Sequence, residues 1–193
     1  LSVLCILLIF TVNLPAQAKK YGIKSGIITF KTKANVSGIE IESKYVVTFD
    51  DYGMKERKDT YEGDTITESF FSDGEELFLI VNREKTAYSR GKAYRGTEYK
   101  FSWEEISDKE KDSGNAKKMP NKTILGKECE CFELKPNMGT VIYAGWQGVL
   151  LFTDLANPNM HTVSTAVSFE ENVSIPAETF KVPGGMPVKK LGF

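Results

Sequence analysis

The sequence predicts a mainly β fold, a curled antiparallel sheet with one or two short helices. Three observations carry that expectation. Short stretches that alternate apolar with polar residues recur along the chain, each bounded by Gly, Pro, Asn or Asp. Turn signals return roughly every 10 to 12 residues, the spacing of consecutive hairpins rather than of strands alternating with helices. Only one stretch carries a helix signature.

Taken in order, Gly22 to Lys33 reads as the first strand, with Gly26 marking a bulge or a close backbone approach. Val36-Ser37-Gly38 turns the chain into Ile39 to Phe49, whose apolar positions are Ile39, Ile41, Tyr45, Val47 and Phe49. Asp50 to Gly53 is a tight turn. Met54 to Thr60, Ile66 to Phe71, Leu77 to Val81 and Thr86 to Tyr88 follow as strands of a meander, in which chain neighbours lie side by side. Ser102-Trp103-Glu104-Glu105 has the form of a capping box, so a helix is expected from there through Ile106 to Lys111, ending by Ser113-Gly114-Asn115. Its apolar stripe is narrow: Trp103 and Ile106, three apart. Such a helix either plugs one end of the sheet or lids a ligand cavity. Asn115 to Asn121, with Lys117, Lys118 and Pro120, reads as a mobile basic loop. The stretch from Thr123 to Phe180 then gives further strands, with Gly126 at a kink and Trp146 at a hairpin tip between glycines. After Phe180, Val182-Pro183-Gly184-Gly185-Met186-Pro187 excludes a helix or a central strand, and the end of the chain is expected to trail along the surface.

The N-terminus reads as a targeting signal. Leu1 to Leu14 is nearly all apolar, too short to span a bilayer comfortably, and Pro15-Ala16-Gln17-Ala18 places small residues where a signal peptidase needs them. Residues 1–18 are expected to be a signal peptide and 19–193 a single β domain, exported to the periplasm of a Gram-negative cell and open to outer-membrane association. Cys5 precedes the apolar run instead of following it, which argues against lipidation. The other cysteines, Cys129 and Cys131, point to one face of a strand with Cα atoms ~6.5–7 Å apart, at the far edge of disulfide reach. Two buried thiols fit that spacing better than a strained bridge.

Function classes narrow by exclusion. Among 193 residues the formal net charge is −1, which offers no pull on nucleic acid. The glycine-rich stretches lack a GxGxxG or P-loop layout. His161, the sole histidine, has no nucleophile-elbow serine or paired carboxylate beside it and reads as a strand-edge residue. Asp50-Asp51 lacks the further oxygens a cation site needs, and two thiolates without histidine make a poor metal site. No catalytic residue, metal or cofactor is expected, and the protein is read as not an enzyme. Asn35, Asn121 and Asn172 stand in Asn-x-Ser/Thr sequons, relevant only in a glycosylating host. What remains is apolar area: many alternating strands and little helix to cover them, so the sheet curls around a cavity for acyl chains or fills its own interior.

Several segments resemble the LolA-like envelope proteins. Gly126-Lys127-Glu128-Cys129 and its strand resemble the opening of their C-terminal half, Trp146-Gln147-Gly148-Val149-Leu150 the next hairpin, and Val167 to Ile175, Phe180 and Val182-Pro183-Gly184 their ending. The resemblance spans roughly Gly22 to Gly184. It implies an incomplete β-barrel of about 10–11 strands, its hollow face plugged by helices, and a secreted protein that binds or carries a lipid, a lipoprotein acyl chain or another hydrophobic ligand. The alternative is a non-catalytic structural or sensing module that engages an envelope protein. Trp103, Ile106, Tyr143 and Trp146 are the candidate ligand-binding residues.

Overall fold

The computed structural model describes residues 19–93, 102–136 and 139–190. The expected signal peptide lies outside them. No helix among the described residues is long and apolar enough to cross a membrane.

The chain forms one twelve-stranded sheet. Six strands come first: β1 (Gly26–Val36), β2 (Ile39–Asp50), β3 (Lys55–Glu62), β4 (Thr65–Ser72), β5 (Glu76–Val81) and β6 (Thr86–Lys92). After a short helix, α1 (Asp108–Asp112), come β7 (Ala116–Ile124), β8 (Lys127–Leu134), β9 (Thr140–Trp146), β10 (Val149–Asn157), β11 (Met160–Glu171) and β12 (Val188–Lys190). The order across the sheet is β12-β6-β5-β4-β3-β2-β1-β11-β10-β9-β8-β7. Two meanders, β1 to β6 and β7 to β11, are thus joined where β1 pairs with β11. Every pairing is antiparallel except β12 on β6, and β12 and β7 stand at opposite edges, so the curled sheet stays open as an incomplete barrel.

Tight hairpins set the registers. Ser37-Gly38, Leu125-Gly126 and Gln147-Gly148 all have positive φ at both turn residues, the conformation whose twist matches that of the flanking strands. Gly126 is thus the second residue of a hairpin turn, where the sequence suggested a kink. Gly26 opens β1 for a different reason. A Cβ there would lie 2.8 Å from the rings of Phe49 and Phe169, so the expected close approach is one of side chains onto the backbone.

Four expectations are corrected. β1 begins at Gly26, because residues 20–25 cross to other elements: the Tyr21 N–H donates to the Tyr52 carbonyl (2.9 Å) and the Gly22 N–H to that of Gln147 (2.8 Å). The single helix is two separate turns. Ser102 caps a 3-10 turn, Trp103–Glu105, Ile106 is extended, and Ser107 starts α1, its hydroxyl accepting from the Glu110 N–H. The basic stretch Asn115 to Asn121 is mostly strand β7, an edge strand whose Pro120 falls at a register shift between Met119 and Lys122; at such a position the missing N–H costs no ladder bond. The end of the chain does not trail free. It lies along β6 as β12, and the Ala87 N–H donates to the Pro187 carbonyl at 3.0 Å. This adds a strand to the expected 10–11.

The main core gathers Tyr21, Ile23, Ile28, Phe30, Phe49, Ile124, Cys129, Cys131, Ala144, Val149, Leu151 and Ala166. Cys129 and Cys131 are free and fully buried. Burial pushes both thiols up, which keeps them protonated and poorly nucleophilic. Native protein is therefore expected to react with Ellman's reagent at these positions on the order of a hundredfold more slowly than guanidinium-unfolded protein. Labelling of the two thiols at equal rates in both states would mean that β8 opens readily.

Candidate functional site

β5 contains five apolar residues in succession, Leu77-Phe78-Leu79-Ile80-Val81. Successive side chains point to opposite faces, so both faces of the sheet are apolar here. One face is covered. Phe71, Ile80 and Ala87 are buried beneath Val182 and Met186 of the C-terminal segment, which continues from a 3-10 turn, Ala177–Phe180, ending in the buried Phe180.

The opposite face carries Phe70, Leu77, Leu79, Val81 and Tyr88. Cross-strand partners share a face, and a row can be followed from Ile28 through Val47, Lys58, Phe70 and Leu79 to Tyr88, strand by strand from β1 to β6. At its β1 end this face belongs to the main core. At its β4–β6 end Phe70 is 39 % exposed and Leu77, Leu79, Val81 and Tyr88 are half-buried. Between the two halves, β3 lays a polar stripe. Lys20 pairs with Glu56 at 2.9 Å, the Tyr21 hydroxyl donates to the same carboxylate, and Lys58 Nζ lies 4.3 Å from the centre of the Tyr45 ring. Burial raises the Tyr45 phenol above its usual value. The arrangement is an apolar floor with a charged border, suited to a ligand with a greasy tail and a polar head.

Three of the four residues singled out in the sequence come together elsewhere. Trp103, Ile106 and Tyr143 pack around the buried Phe132, with Ala116 and Leu134. The Trp103 N–H donates to Glu130 Oε2 (2.8 Å), and Lys118 pairs with the same carboxylate (3.1 Å). Burial raises the Glu130 carboxyl, but those two partners and the Ser102 hydroxyl together outweigh it and hold the group below its ordinary value. Burial also raises the Tyr143 phenol. The Trp103–Glu105 turn is thereby pinned to β8 as a plug, beside an open cleft of about 360 Å³ lined by Glu110, Leu134, Pro136, Val141 and Tyr143. Trp146 is apart, half-buried against the main core. Its ring meets Phe169 edge-on, and Lys127 Nζ sits 3.9 Å above it while pairing with Glu171 at 2.5 Å.

His161 is exposed at the β10–β11 hairpin, its Nε2 2.9 Å from Asp154 Oδ1. Asp51 opens a 3-10 turn. No group of three or more His, Cys, Asp or Glu side chains placed to hold a metal occurs among the described residues.

Fold and site together define an open, curled antiparallel sheet with one apolar face left partly uncovered. No family model and no curated protein matches the chain. Among solved structures it is similar in fold to an uncharacterised conserved protein from Thermus thermophilus, with 7 % identity and a TM-score of 0.60, over 87 % of this chain and 91 % of that one. More distant likenesses are a putative outer membrane lipoprotein-sorting protein domain from Vibrio parahaemolyticus and a LolA superfamily protein from Nitrosomonas europaea. The Vibrio domain has 10 % identity and a TM-score of 0.42, over 81 % of this chain and 89 % of that one. The Nitrosomonas protein has 8 % identity and a TM-score of 0.40, over 84 % and 92 %.

Proposed function

We propose that the protein is a non-catalytic binder or carrier of a lipid or acyl chain in the bacterial envelope, and that the ligand lies on the open face of β4, β5 and β6. One observation carries this reading. Phe70, Leu77, Leu79, Val81 and Tyr88 form an apolar surface on the same sheet face as the main core, set apart from it by the polar β3 stripe, and they stay half-buried or exposed while the reverse face of the same strands is sealed by the chain's own C-terminal segment. Uncovered apolar area of this kind marks a binding surface. The resemblance of the Gly126 to Cys129 and Trp146 to Leu150 segments to LolA-like proteins supports the same ligand class, and the apolar run at residues 1–14 supports export. Trp103, Ile106 and Tyr143 serve in this reading as the plug at the far end of the sheet.

Titration of delipidated protein with the fluorescent fatty acid cis-parinaric acid tests the proposal. Saturable binding with a defined stoichiometry is expected, weakened by at least about tenfold in a Leu79→Glu variant that keeps its circular dichroism spectrum; a buried charge facing an acyl chain supplies that loss. Non-saturating uptake, or equal affinity in the variant, would remove the open face as the binding site.

A further inference from the structure

The open face of β4, β5 and β6 runs on past its apolar residues. The last pair between β4 and β5 is Glu68 opposite Val81, and both residues line an open cleft of about 640 Å³ that reaches the β3–β4 and β5–β6 turns. Ile66, Thr67 and Glu68, three residues in a row, belong to its lining, more than strict alternation along a strand allows. The register explains it. Thr60 opposes Glu68 and Tyr61 opposes Ile66, so Thr67 is bulged out of the β3–β4 ladder, and bulges re-aim side chains beside ligand sites. The other wall is a 3-10 turn, Asn82–Glu84. Asn82 Nδ2 donates to the Ile66 carbonyl at 2.7 Å and the Thr67 hydroxyl to that of Thr60 at 3.2 Å, so the walls are fixed to one another by the protein's own bonds.

The charged groups in the lining are Glu62, Glu68 and Arg83, all exposed and none in an ion pair among the described residues. Neighbouring charges are engaged elsewhere or lie outside the lining. Glu84 accepts from the Tyr88 hydroxyl at 2.5 Å and Lys58 stands over the Tyr45 ring. Asp64 and Lys85, one at each turn, are not part of the lining. A guanidinium and two carboxylates therefore share one cleft at the edge of an apolar floor. A simple anionic head would meet Glu62 and Glu68 as well as Arg83, and a simple cation would leave Arg83 unmatched. A head bearing a charge of each sign matches the cleft.

We propose that the lipid on the open face is a phospholipid with a zwitterionic head, a phosphate and a primary ammonium as in phosphoethanolamine, seated in this cleft. The phosphate takes the fork of Arg83, the ammonium donates to Glu62 and Glu68, and the acyl chains run from Val81 over Leu79 and Phe70. The head assignment rests on the lipid reading of the same face.

The test displaces cis-parinaric acid from delipidated protein with dihexanoyl phosphatidylethanolamine, dihexanoyl phosphatidylglycerol or free phosphoethanolamine, all below micelle-forming concentrations. Inhibition constants are corrected for each variant's own affinity for the probe. The ethanolamine lipid is expected to bind about tenfold more tightly than the glycerol lipid, whose head has the phosphate without the ammonium, and free phosphoethanolamine does not displace the probe. Glu62→Gln/Glu68→Gln brings the two lipids within about twofold of each other, and Arg83→Gln weakens both about tenfold. Lys85→Gln, outside the cleft, changes neither. Equal binding of the two lipids, a preference that survives Glu62→Gln/Glu68→Gln, or an Arg83→Gln variant no weaker than Lys85→Gln would each overturn the head assignment while leaving acyl binding in place. Displacement by free phosphoethanolamine would overturn it too, by making the ligand a soluble phosphate ester. Absence of saturable cis-parinaric acid binding is the separate result that removes the lipid reading itself, and the head assignment with it.

Discussion

Replacing Arg57 with Met is expected to destabilise the fold by about 3–5 kcal/mol, the usual cost of stranding one partner of a buried ion pair. The Arg57 and Asp59 side chains are only 16 % and 13 % exposed. Arg57 Nε donates to both Asp59 oxygens (2.8 and 3.0 Å), Nη2 donates to Ser69 Oγ (2.9 Å), and Nη1 donates to the Thr179 carbonyl (3.0 Å). The Ser69 hydroxyl in turn donates to Asp59 at 2.5 Å, which closes the network. Three consequences follow from the single substitution. Asp59 keeps its charge but loses its counter-ion, Ser69 keeps one partner instead of two, and the Ala177–Phe180 turn loses its tether to β3. Urea denaturation measures the sum. The double variant Arg57→Met/Asp59→Leu is expected to recover much of the loss, since a buried pair exchanged for apolar side chains of similar size is often neutral. A single variant within 1 kcal/mol of the parent would mean that the network is solvated and the C-terminal segment is held by its apolar contacts alone.

That network shows where sequence reasoning stops. The alternation in Ile39 to Phe49 and the X-Gly hairpin turns are local, and the strands, their order within each meander and many turns followed from them; the junction of the two meanders at β1 and β11, with β6 and β7 apart, departs from the expected growth of the sheet in chain order. Gly26 and the Cys129–Cys131 pair were also readable, because each is a statement about one strand and its two faces. The partner of β12 was not. Nothing in Val188-Lys189-Lys190 indicates that it lies parallel to Thr86 to Lys92, a pairing made across about a hundred intervening residues. Lys117, Lys118 and Pro120 masked β7, because exposed lysines and a proline are both what a loop contains and what an edge strand tolerates. Ile106 broke the expected helix at a point where Trp103 and Ile106, three apart, suit a 3-10 turn as well as an α-helix, and Ser107-Asp108-Lys109-Glu110 offered a second capping pattern.

The candidate site was half legible for a related reason. The apolar runs in β4 and β5 announce that both faces of those strands need cover. Which face receives it depends on the path of residues 177–190, and that path is fixed by Arg57, Phe71 and Ile80, far away in sequence. Trp103, Ile106 and Tyr143 drew notice because large aromatic and apolar side chains stand out among polar neighbours. The same prominence serves a plug and a ligand contact equally, and these three pack on Phe132.

Phe49→Ala and Phe70→Ala separate the two halves of the shared sheet face. Phe49 is fully buried. The Tyr21 ring meets it edge-on at 4.8 Å between centroids, and Phe169 lies 6.3 Å away. Truncation there empties a site walled by β1, β2 and the 20–25 segment, which cannot collapse without moving the Tyr21 ring and the Gly26 backbone. A loss of about 3–5 kcal/mol is expected, seen as a fall in melting temperature of roughly 6–20 °C for a domain of this size. Phe70, in the same sheet face but on β4, is 39 % exposed, so its truncation empties no enclosed site and costs about 1–2 kcal/mol, a fall in melting temperature of about 2–7 °C. Its effect belongs in binding: weaker retention of cis-parinaric acid with the fold unchanged. The opposite pattern, Phe70 costing as much stability as Phe49 while acyl binding is untouched, would make the β4–β6 face a core position with no ligand to hold.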